Sequence, residues 1–329
     1  MAWVSTHKRG VSLTLRIGVS LAMLVVLFVR VPNFSWNHLV PDWSFRTAFW
    51  LAVAALLTLV GIVLSALRWQ KVLDALEVRT SLPQLVRHYL AGQFVSNVLP
   101  TTIGGDVLRV SRLSRDTGEP PETFASVVLE RLTGWLVLPV ITMVGFLVNP
   151  GLRHLGTATR VAMGLAVGTL AVLIGVLVVA GSSRIGGRFA TREGWRRFAG
   201  AVHLGLTRLK SHPAAAAELL GAGFAYQLAL VLAAVAAAQA LGLQNAAGLT
   251  ALLAFFPAVL IAQVMPFALS GLGIREGAFI LFLGPLGVGR EEAIALGLLL
   301  YLLNLAVSLL GAPAFAAGGG RRDDPVATA

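Results

Sequence analysis

The chain has 329 residues, of which 57% are hydrophobic and 12% are charged, and its mean hydropathy is +0.81. Soluble domains carry about 25% charged residues, so this composition indicates an integral membrane protein rather than a soluble one. The chain has no cysteine, which excludes disulfides and thiolate metal sites. The net charge of +11 falls in short segments between apolar runs, a pattern that reflects membrane topology rather than nucleic-acid binding.

Six apolar runs are long enough to cross the hydrocarbon core of a bilayer as helices. They occupy residues 11–31, 47–67, 124–148, 161–180, 214–241 and 291–315. The sequence therefore predicts an all-α integral membrane protein with about six transmembrane helices. We expect a single membrane domain over residues 1–329.

A further apolar stretch, residues 84–99, precedes a polar return arm and does not fit a complete span. The arm, residues 106–115, would be about 15 Å long as a helix, roughly half the hydrocarbon thickness. It carries Arg109, Arg112 and Arg115, which a lipid-facing helix could hold only at a high cost in free energy. We interpret residues 84–115 as a re-entrant helical hairpin with its tip at residues 100–105.

A second stretch, residues 247–265, is followed by a return arm, residues 273–283, that stops at Gly284-Pro285. This arm is also too short to cross the bilayer, so residues 247–283 are interpreted as a second re-entrant hairpin. The alternative is that each of the two stretches forms one complete, kinked span.

Positive charge indicates the orientation of the chain. Basic residues concentrate in the loop 68–87 with the return arm after it, in the segment 184–210, and at both ends of the chain. By the positive-inside rule these segments are cytoplasmic. We therefore expect a multi-pass protein of the cell (inner) membrane with both termini in the cytoplasm. Residues 184–210 are expected to form a basic amphipathic helix on the cytoplasmic membrane surface.

A shift of 166 residues aligns the two hairpins without a gap. The identical pairs are Val98 with Val264, Pro100 with Pro266, Gly105 with Gly271 and Arg109 with Arg275. The same shift aligns the surrounding spans, so residues 11–150 and 160–317 are predicted to be two repeat halves. Because each half has three crossings and one hairpin, the halves are inserted with opposite orientation. An inverted repeat of this kind predicts a polar cavity where the hairpins meet.

The hairpin tips are the predicted binding site for an anion. Helices that begin there would point free N–H groups at the membrane midplane. Proline breaks each entering arm and glycine permits close backbone approach; the residues concerned are Pro100, Gly104, Gly105, Pro266, Ser270 and Gly271. Arg109 and Arg275 follow the tips, and their planar guanidinium groups match a phosphate.

The same arginines have acidic neighbours, which leaves a second interpretation open. Asp106 precedes Arg109 by three residues, and Glu276 directly follows Arg275, so each hairpin could neutralise its own arginine. Glu130-Arg131, about 10 Å inside the predicted span 124–148, adds a further ionisable pair. Glu130 could pair with an arginine of the first hairpin or carry a coupling proton.

The complete set of predicted substrate-binding residues is Asn97, Pro100, Thr101, Gly104, Gly105, Asp106, Arg109, Glu130, Arg131, Pro266, Ser270, Gly271, Gly273, Arg275 and Glu276. The sequence contains no GxSxG, HExxH or Walker A motif. We therefore expect no catalytic residue, no cofactor and no metal site.

Three segments carry a family resemblance: AGQFVSNVLPTTIGGDVLRVSRL, SVVLERLTGW and MPFALSGLGIREGAFILFL. They resemble the flippase-like transmembrane domain of the lysylphosphatidylglycerol synthases, over a region from about Arg68 to the last span. The resemblance implies movement of a phospholipid between leaflets. The soluble synthase domain has no counterpart in these motifs, so a stand-alone member without synthase activity is expected. Gly134 stands in a stretch where family members often have an acidic residue.

Three functions remain in competition. The first is a transporter or flippase for an anionic phospholipid or a polyprenyl-phosphate-linked substrate. The second is an accessory membrane subunit for a lipid-modifying enzyme or glycosyltransferase, which predicts no cavity between the hairpins. The third is a lipid-modifying enzyme with Asp106 or Glu130 as acid or base. The expected partners are membrane lipids, anionic ones above all, with no nucleic acid; a homo-oligomer or an enzyme partner is a further option.

Overall fold

The computed structural model describes residues 43–98, 104–182, 196–264 and 271–317. The predicted first span, residues 11–31, lies outside the described residues. So do most of the first hairpin tip, most of the second, and the first part of the basic segment 184–210.

Within the described residues, five helices are long and apolar enough to cross a membrane. They are α1 (Phe45–Ala75), α4 (Pro120–Val148), α5 (Thr157–Gly181), α7 (Pro213–Ala240) and α10 (Arg290–Leu309). They coincide with the second to sixth predicted spans, and every regular element of the described residues is helical. The chain is therefore an all-α integral membrane protein, as predicted.

Local sequence features mark the N-termini of these helices. The Oγ of Ser44 accepts a hydrogen bond from the backbone N–H of Thr47 at 3.1 Å and so caps α1. Pro120 and Pro213 occupy the first positions of α4 and α7, where the missing N–H of proline has no intrahelical partner to lose. Residues 68–75, expected in a loop, continue α1 instead, because Trp69, Val72 and Leu73 extend its buried face.

The shorter helices of the described residues form two pairs and four separate helices. The pairs are α2 (Leu82–Val98) with α3 (Gly104–Thr117), and α8 (Leu249–Gln263) with α9 (Ile274–Leu283). Between and after them lie α6 (Arg196–Ser211), α11 (Ala312–Ala317) and short 3-10 helices at Pro150–His154 and Gly284–Leu286. The paired helices have 17, 14, 15 and 10 residues. At 1.5 Å per residue even the longest is about 25 Å, less than the hydrocarbon thickness.

Side-chain contacts show that α2 and α3 run antiparallel. Near their open end Gln84 Nε2 donates to Asp116 Oδ2 at 2.8 Å. Near the turn, the backbones of Gly92 and Gly105 cross so closely that a Cβ on Gly105 would overlap the carbonyl of Gly92. Only glycine allows this approach of two helices.

Stacked aromatic rings hold α8 against α9 in the same antiparallel sense. The rings of Phe255 and Phe282 stack with centroids 5.4 Å apart, and those of Phe256 and Phe279 stack at 6.0 Å. These rings lie in the larger of the two hydrophobic clusters, which α4 joins through Phe146. Aromatic pairs contribute about 0.5–1.5 kcal/mol each beyond the area that they bury.

The longest packing interface joins α1 to α7, and these helices are antiparallel. Arg46 lies near Gln239 at one end, Gly61 contacts Leu230 in the middle, and Lys71 Nζ lies 2.7 Å from Glu218 Oε2 at the other end. Under the 166-residue shift α1 maps to residues 211–241, close to the observed α7, Pro213–Ala240. The two helices that the shift aligns, α1 and α7, therefore pack in opposite directions.

The same shift reproduces the boundaries of the helix pairs. It carries α2 to residues 248–264 and α3 to residues 270–283, whereas α8 spans Leu249–Gln263 and α9 spans Ile274–Leu283. The ends of α3 and α9 fall on the same repeat position. The start of α9 is four residues later than that of α3, because Gly271 and Gly273 have positive φ angles of 74° and 84° that a helix does not allow.

The described part of the basic segment, α6, packs one side against the protein. Its Ala201, Leu206 and Leu209 are buried, and its Gly205 lies against Leu129 of α4. Its Arg208 pairs with Glu77 at 3.2 Å on the exposed side. The helix is thus attached to the ends of α1 and α4.

Candidate functional site

A polar cavity of about 280 Å³ lies among seven of the described helices. Side chains from α1, α2 and α4 form its walls on one side, and side chains from α7, α8, α9 and α10 form them on the other. Its polar and aromatic lining comprises Thr58, Arg68, Tyr89, Gln93, Glu130, Arg131, Trp135, Tyr226, Gln227, Phe256, Gln263, Arg275 and Asn304. Residues of both helix pairs therefore line one common space.

Glu130 of α4 is the central carboxylate of the first half. It is 1% exposed, and each of its two oxygens faces an arginine. Arg68 Nη2 donates to Oε1, and Arg109 Nη2 donates to Oε2 at 2.8 Å. This carboxylate compensates the charge of both guanidinium groups, and removing it would leave Arg68 without an anionic partner and Arg109 with Asp106 alone.

Arg109 is enclosed by protein. Its guanidinium lies 4.2 Å from the ring centroids of both Trp69 and Tyr89, and it also pairs with Asp106 at 3.3 Å. The residue is 3% exposed and is not among the lining residues of the cavity. Two carboxylates and two aromatic faces account for its charge, so Arg109 joins α3 to α4 and to α1.

Arg131, the next residue after Glu130, points in a different direction. Its Nη2 lies 2.7 Å from Asp106 Oδ2, and its side chain is 49% exposed. It lines the central cavity. The Arg131–Asp106 pair is therefore much more exposed than the ion pair of Glu130 with Arg68.

Arg68 has donors that the described residues leave unused. Its side chain is 5% exposed and lines the cavity, and neither Nε nor Nη1 has a hydrogen-bond partner among the described residues. A Cβ on Gly134 would lie 2.5 Å from Nη1, so the glycine makes room for this edge of the guanidinium. Buried N–H donors without partners are costly, and an anion in the cavity would satisfy them.

Arg275 supplies positive charge from the second half. It lies 2.9 Å from Glu276 Oε1, with its guanidinium 5.4 Å from the ring centroid of Tyr301. The other oxygen of Glu276 accepts a hydrogen bond from the backbone N–H of Gly273 at 2.6 Å. One free donor at the start of α9 is thus already occupied by a carboxylate. Gly297 of α10 leaves space for Glu276, whose Cγ would lie 2.9 Å from a Cβ there.

The described walls of the cavity carry an excess of positive charge. Three arginines, Arg68, Arg131 and Arg275, face one carboxylate, Glu130. Asp106 and Glu276 each meet one of these arginines from outside the lining, and Arg109 adds a fourth guanidinium behind it. Within this cluster four arginines meet three carboxylates, so a bound monoanion would balance the charge.

The predicted site residues divide into three groups. Glu130, Arg131 and Arg275 lie on the cavity, and Asp106, Arg109 and Glu276 contact residues that do. Asn97, Gly104, Gly105, Gly271 and Gly273 flank the turns of the helix pairs, and Nδ2 of Asn97 has no partner among the described residues. Pro100, Thr101, Pro266 and Ser270 lie outside the described residues.

Sequence reasoning missed several residues of the site. Arg68 was assigned to a cytoplasmic loop because the apolar run ends at Leu67. The polar residues Tyr89, Gln93 and Gln263 interrupt apolar helices that are too short to span, which is a usable signal. Tyr226 and Gln227 had the same signal, because they lie in the middle of the apolar helix α7. Asn304 of α10 also lines the cavity.

These features define a polytopic α-helical membrane protein with a cationic cavity among its helices. Residues 13–311 match the family model of the lysylphosphatidylglycerol synthase transmembrane region, so the chain belongs to that family. Membership links it to lipid metabolism or transport in a membrane. A search of curated proteins gave no match.

Proposed function

We propose that the protein moves an anionic lipid between membrane leaflets and that the lipid phosphate passes through the central cavity. The substrate is a phospholipid or a polyprenyl-phosphate-linked compound. The observation that carries this proposal is the excess of arginine on the cavity walls, together with the unpartnered Nε and Nη1 of the buried Arg68. A phosphate oxygen is the acceptor that such a fork fits best.

Alternating access through an inverted repeat is the mechanism that we propose for this movement. The antiparallel packing of α1 with α7 supports it, because helices related by a two-fold axis in the membrane plane run in opposite directions. The short helix pairs support re-entrant hairpins that meet at the cavity from opposite faces. Both termini in the cytoplasm and insertion in the cell inner membrane complete the proposed topology.

The arginines have different roles in this proposal. Arg68, Arg131 and Arg275 contact the phosphate, because all three line the cavity. Arg109 positions α3 and Glu130 and does not touch the substrate. The hairpin-tip residues would contribute backbone N–H groups to the phosphate as it crosses the midplane.

The competing functions fit the geometry less well. An acid or base on Glu130 would need a free carboxylate oxygen, but both of its oxygens are held by arginines. An accessory subunit predicts no cavity between the hairpins, whereas residues of both pairs line one.

Leaflet exchange in proteoliposomes tests the proposal. Fluorescent phosphatidylglycerol and phosphatidylcholine are reduced by dithionite from outside, and the protein is expected to make inner-leaflet phosphatidylglycerol accessible faster. Leu230→Trp puts bulk into the cavity and should stop the exchange. Leu228→Trp, on the same helix at a 41% exposed position, should leave it unchanged.

Charge in the cavity is tested separately with Arg275. Arg275→Gln should slow exchange by roughly ten- to a hundredfold, the loss of one charge-assisted hydrogen bond, and Arg275→Lys should retain part of the rate. The elution volume in gel filtration checks that each variant is folded. Equal rates for Leu230→Trp, Arg275→Gln and the native protein would refute transport through this cavity.

A further inference from the structure

A second, apolar cavity opens beside the central one, between α3 and α4. Its volume is about 510 Å³, within the usual range for ligand sites. Its walls are Val107, Val110, Ser111, Phe124, Val127, Val128 and Leu132, with Asp106, Arg131 and Trp135 at one end. Val107 is 60% exposed and Phe124 is 39% exposed, so this groove is open on the outer surface of the helix bundle.

The groove and the central cavity share two residues. Arg131 and Trp135 line both spaces. Asp106 lines the groove and pairs with Arg131 across the boundary at 2.7 Å. An accessible ion pair therefore separates an apolar, lipid-facing groove from a polar, cationic cavity.

We infer that this groove holds an acyl chain of the anionic lipid whose phosphate is bound by Arg131, and that it is the lateral path to the central cavity. The inference rests on the proposed function and adds the route to it. The groove has the polarity of such a molecule, with apolar walls over most of its length and a cation at one end.

The Arg131–Asp106 pair gives the path a gate. A phosphate arriving at the end of the groove takes the place of Asp106 as the partner of Arg131, so the guanidinium never stands unpaired in the hydrocarbon. From there Arg68 and Arg275 on the cavity walls are the next cations. Charge complementarity thus continues from the groove into the cavity.

Photo-crosslinking tests the occupant, and the absence of cysteine makes single-site labelling direct. Val107→Cys places a photoactivatable maleimide in the groove, and Val144→Cys places the same probe on α4, 43% exposed and outside the groove. Both proteins are reconstituted in vesicles of phosphatidylglycerol and phosphatidylcholine at equal mole fractions. Captured lipids are counted by mass spectrometry.

The groove probe should capture phosphatidylglycerol over phosphatidylcholine by roughly three- to tenfold, as expected for one partly exposed charge-assisted contact. The Val144 probe should capture the two lipids equally. In the Val107→Cys background, Arg131→Gln should remove the preference and Arg131→Lys should retain it. Equal capture at Val107, or a preference that survives Arg131→Gln, would mean that only bulk lipid fills the groove and would overturn the inference.

This measurement is separable from the proposed function. Lipid capture is an equilibrium property and does not require leaflet exchange. A selective groove in a protein without exchange would refute transport alone, and exchange with an unselective groove would refute the lateral path alone.

Discussion

The two helix pairs carry an arginine at the same repeat position, and its surroundings differ. Arg109 in the first pair forms an ion pair with Glu130 of another helix at 2.8 Å, and it does not line the cavity. Arg275 in the second pair forms an ion pair with the adjacent residue, Glu276, at 2.9 Å, and it lines the cavity. The same residue type at equivalent positions thus joins helices in one half and faces the proposed ligand in the other.

The carboxylates explain this difference because they do not follow the repeat. Under the 166-residue shift Glu130 falls on Leu296, and Glu276 falls on Val110. The 166-residue shift therefore aligns the two arginines but not their anionic partners. Two halves that differ in this way can bind one ligand asymmetrically, as a transporter with distinct states at the two membrane faces requires.

Removal of the Glu130 charge is the change with the largest expected effect on this comparison. Glu130→Gln leaves Arg68 buried without an anion and Arg109 with Asp106 alone, which should lower the free energy of unfolding by about 3–5 kcal/mol. The midpoint of thermal unfolding in detergent measures the loss. Glu218→Gln is the control, because its pair with Lys71 is exposed and should contribute no more than about 1 kcal/mol. Similar midpoints for the two variants would show that the buried cluster does not stabilise the first half.

Replacing one glycine by alanine in each helix pair tests how closely the backbone is packed at that position. Gly105→Ala drives a methyl group into Gly92 and Ser96 of α2, so about 1–3 kcal/mol of stability should be lost. Gly277→Ala in α9 has open space around its Cβ, and the better helix propensity of alanine should raise stability by up to about 1 kcal/mol. The midpoint of thermal unfolding shows whether each variant is less or more stable than the native protein. A loss for Gly277→Ala would contradict the open space found around this position of the second pair.

The helices were predictable from the sequence, and the pairing of the charges was predictable only in part. The option that Glu130 pairs with an arginine of the first helix pair is found with Arg109, whereas its second partner, Arg68, was not expected. Run length and hydropathy locate the spans, because the bilayer demands about 20 apolar residues whatever the rest of the chain does. The pairing of Arg68 with Glu130 joins residues 62 positions apart, and no local pattern encodes it. The continuation of α1 past Leu67 was recoverable, since Trp69, Val72 and Leu73 keep its helical period.

The ion pairs of the two helix pairs also show which charge pairings the sequence does not predict. Asp106 and Glu276 were recognised as neighbours of the arginines, and both do pair with them. The second partner of Asp106, Arg131, is 25 residues away and belongs to another helix. Whether an arginine faces a cavity depends on contacts between helices, which sequence spacing within one helix does not contain.

The open ends of the two pairs provide the smallest and last contrast. Asp116 Oδ2 lies 2.8 Å from Gln84 Nε2 and 2.9 Å from His88 Nε2, so a polar clamp closes the first pair. The second pair is held instead by ring stacking, as between Phe256 and Phe279 near the middle of α8 and α9. Because Asp116 is 42% exposed, water can replace its contacts, and Asp116→Asn should reduce stability by no more than about 1 kcal/mol.

Phe279→Leu is the matched variant, since it removes the stacked ring from a position that is 1% exposed. The lost aromatic pair and the reduced packing should lower stability by about 1–2 kcal/mol. Hydrogen exchange of the two pairs distinguishes local from global effects, because a weakened clamp should loosen only the ends of α2 and α3. If Asp116→Asn instead loosened α8 and α9 as well, the clamp would couple the two halves, and the division of the molecule into separately closed pairs would be wrong.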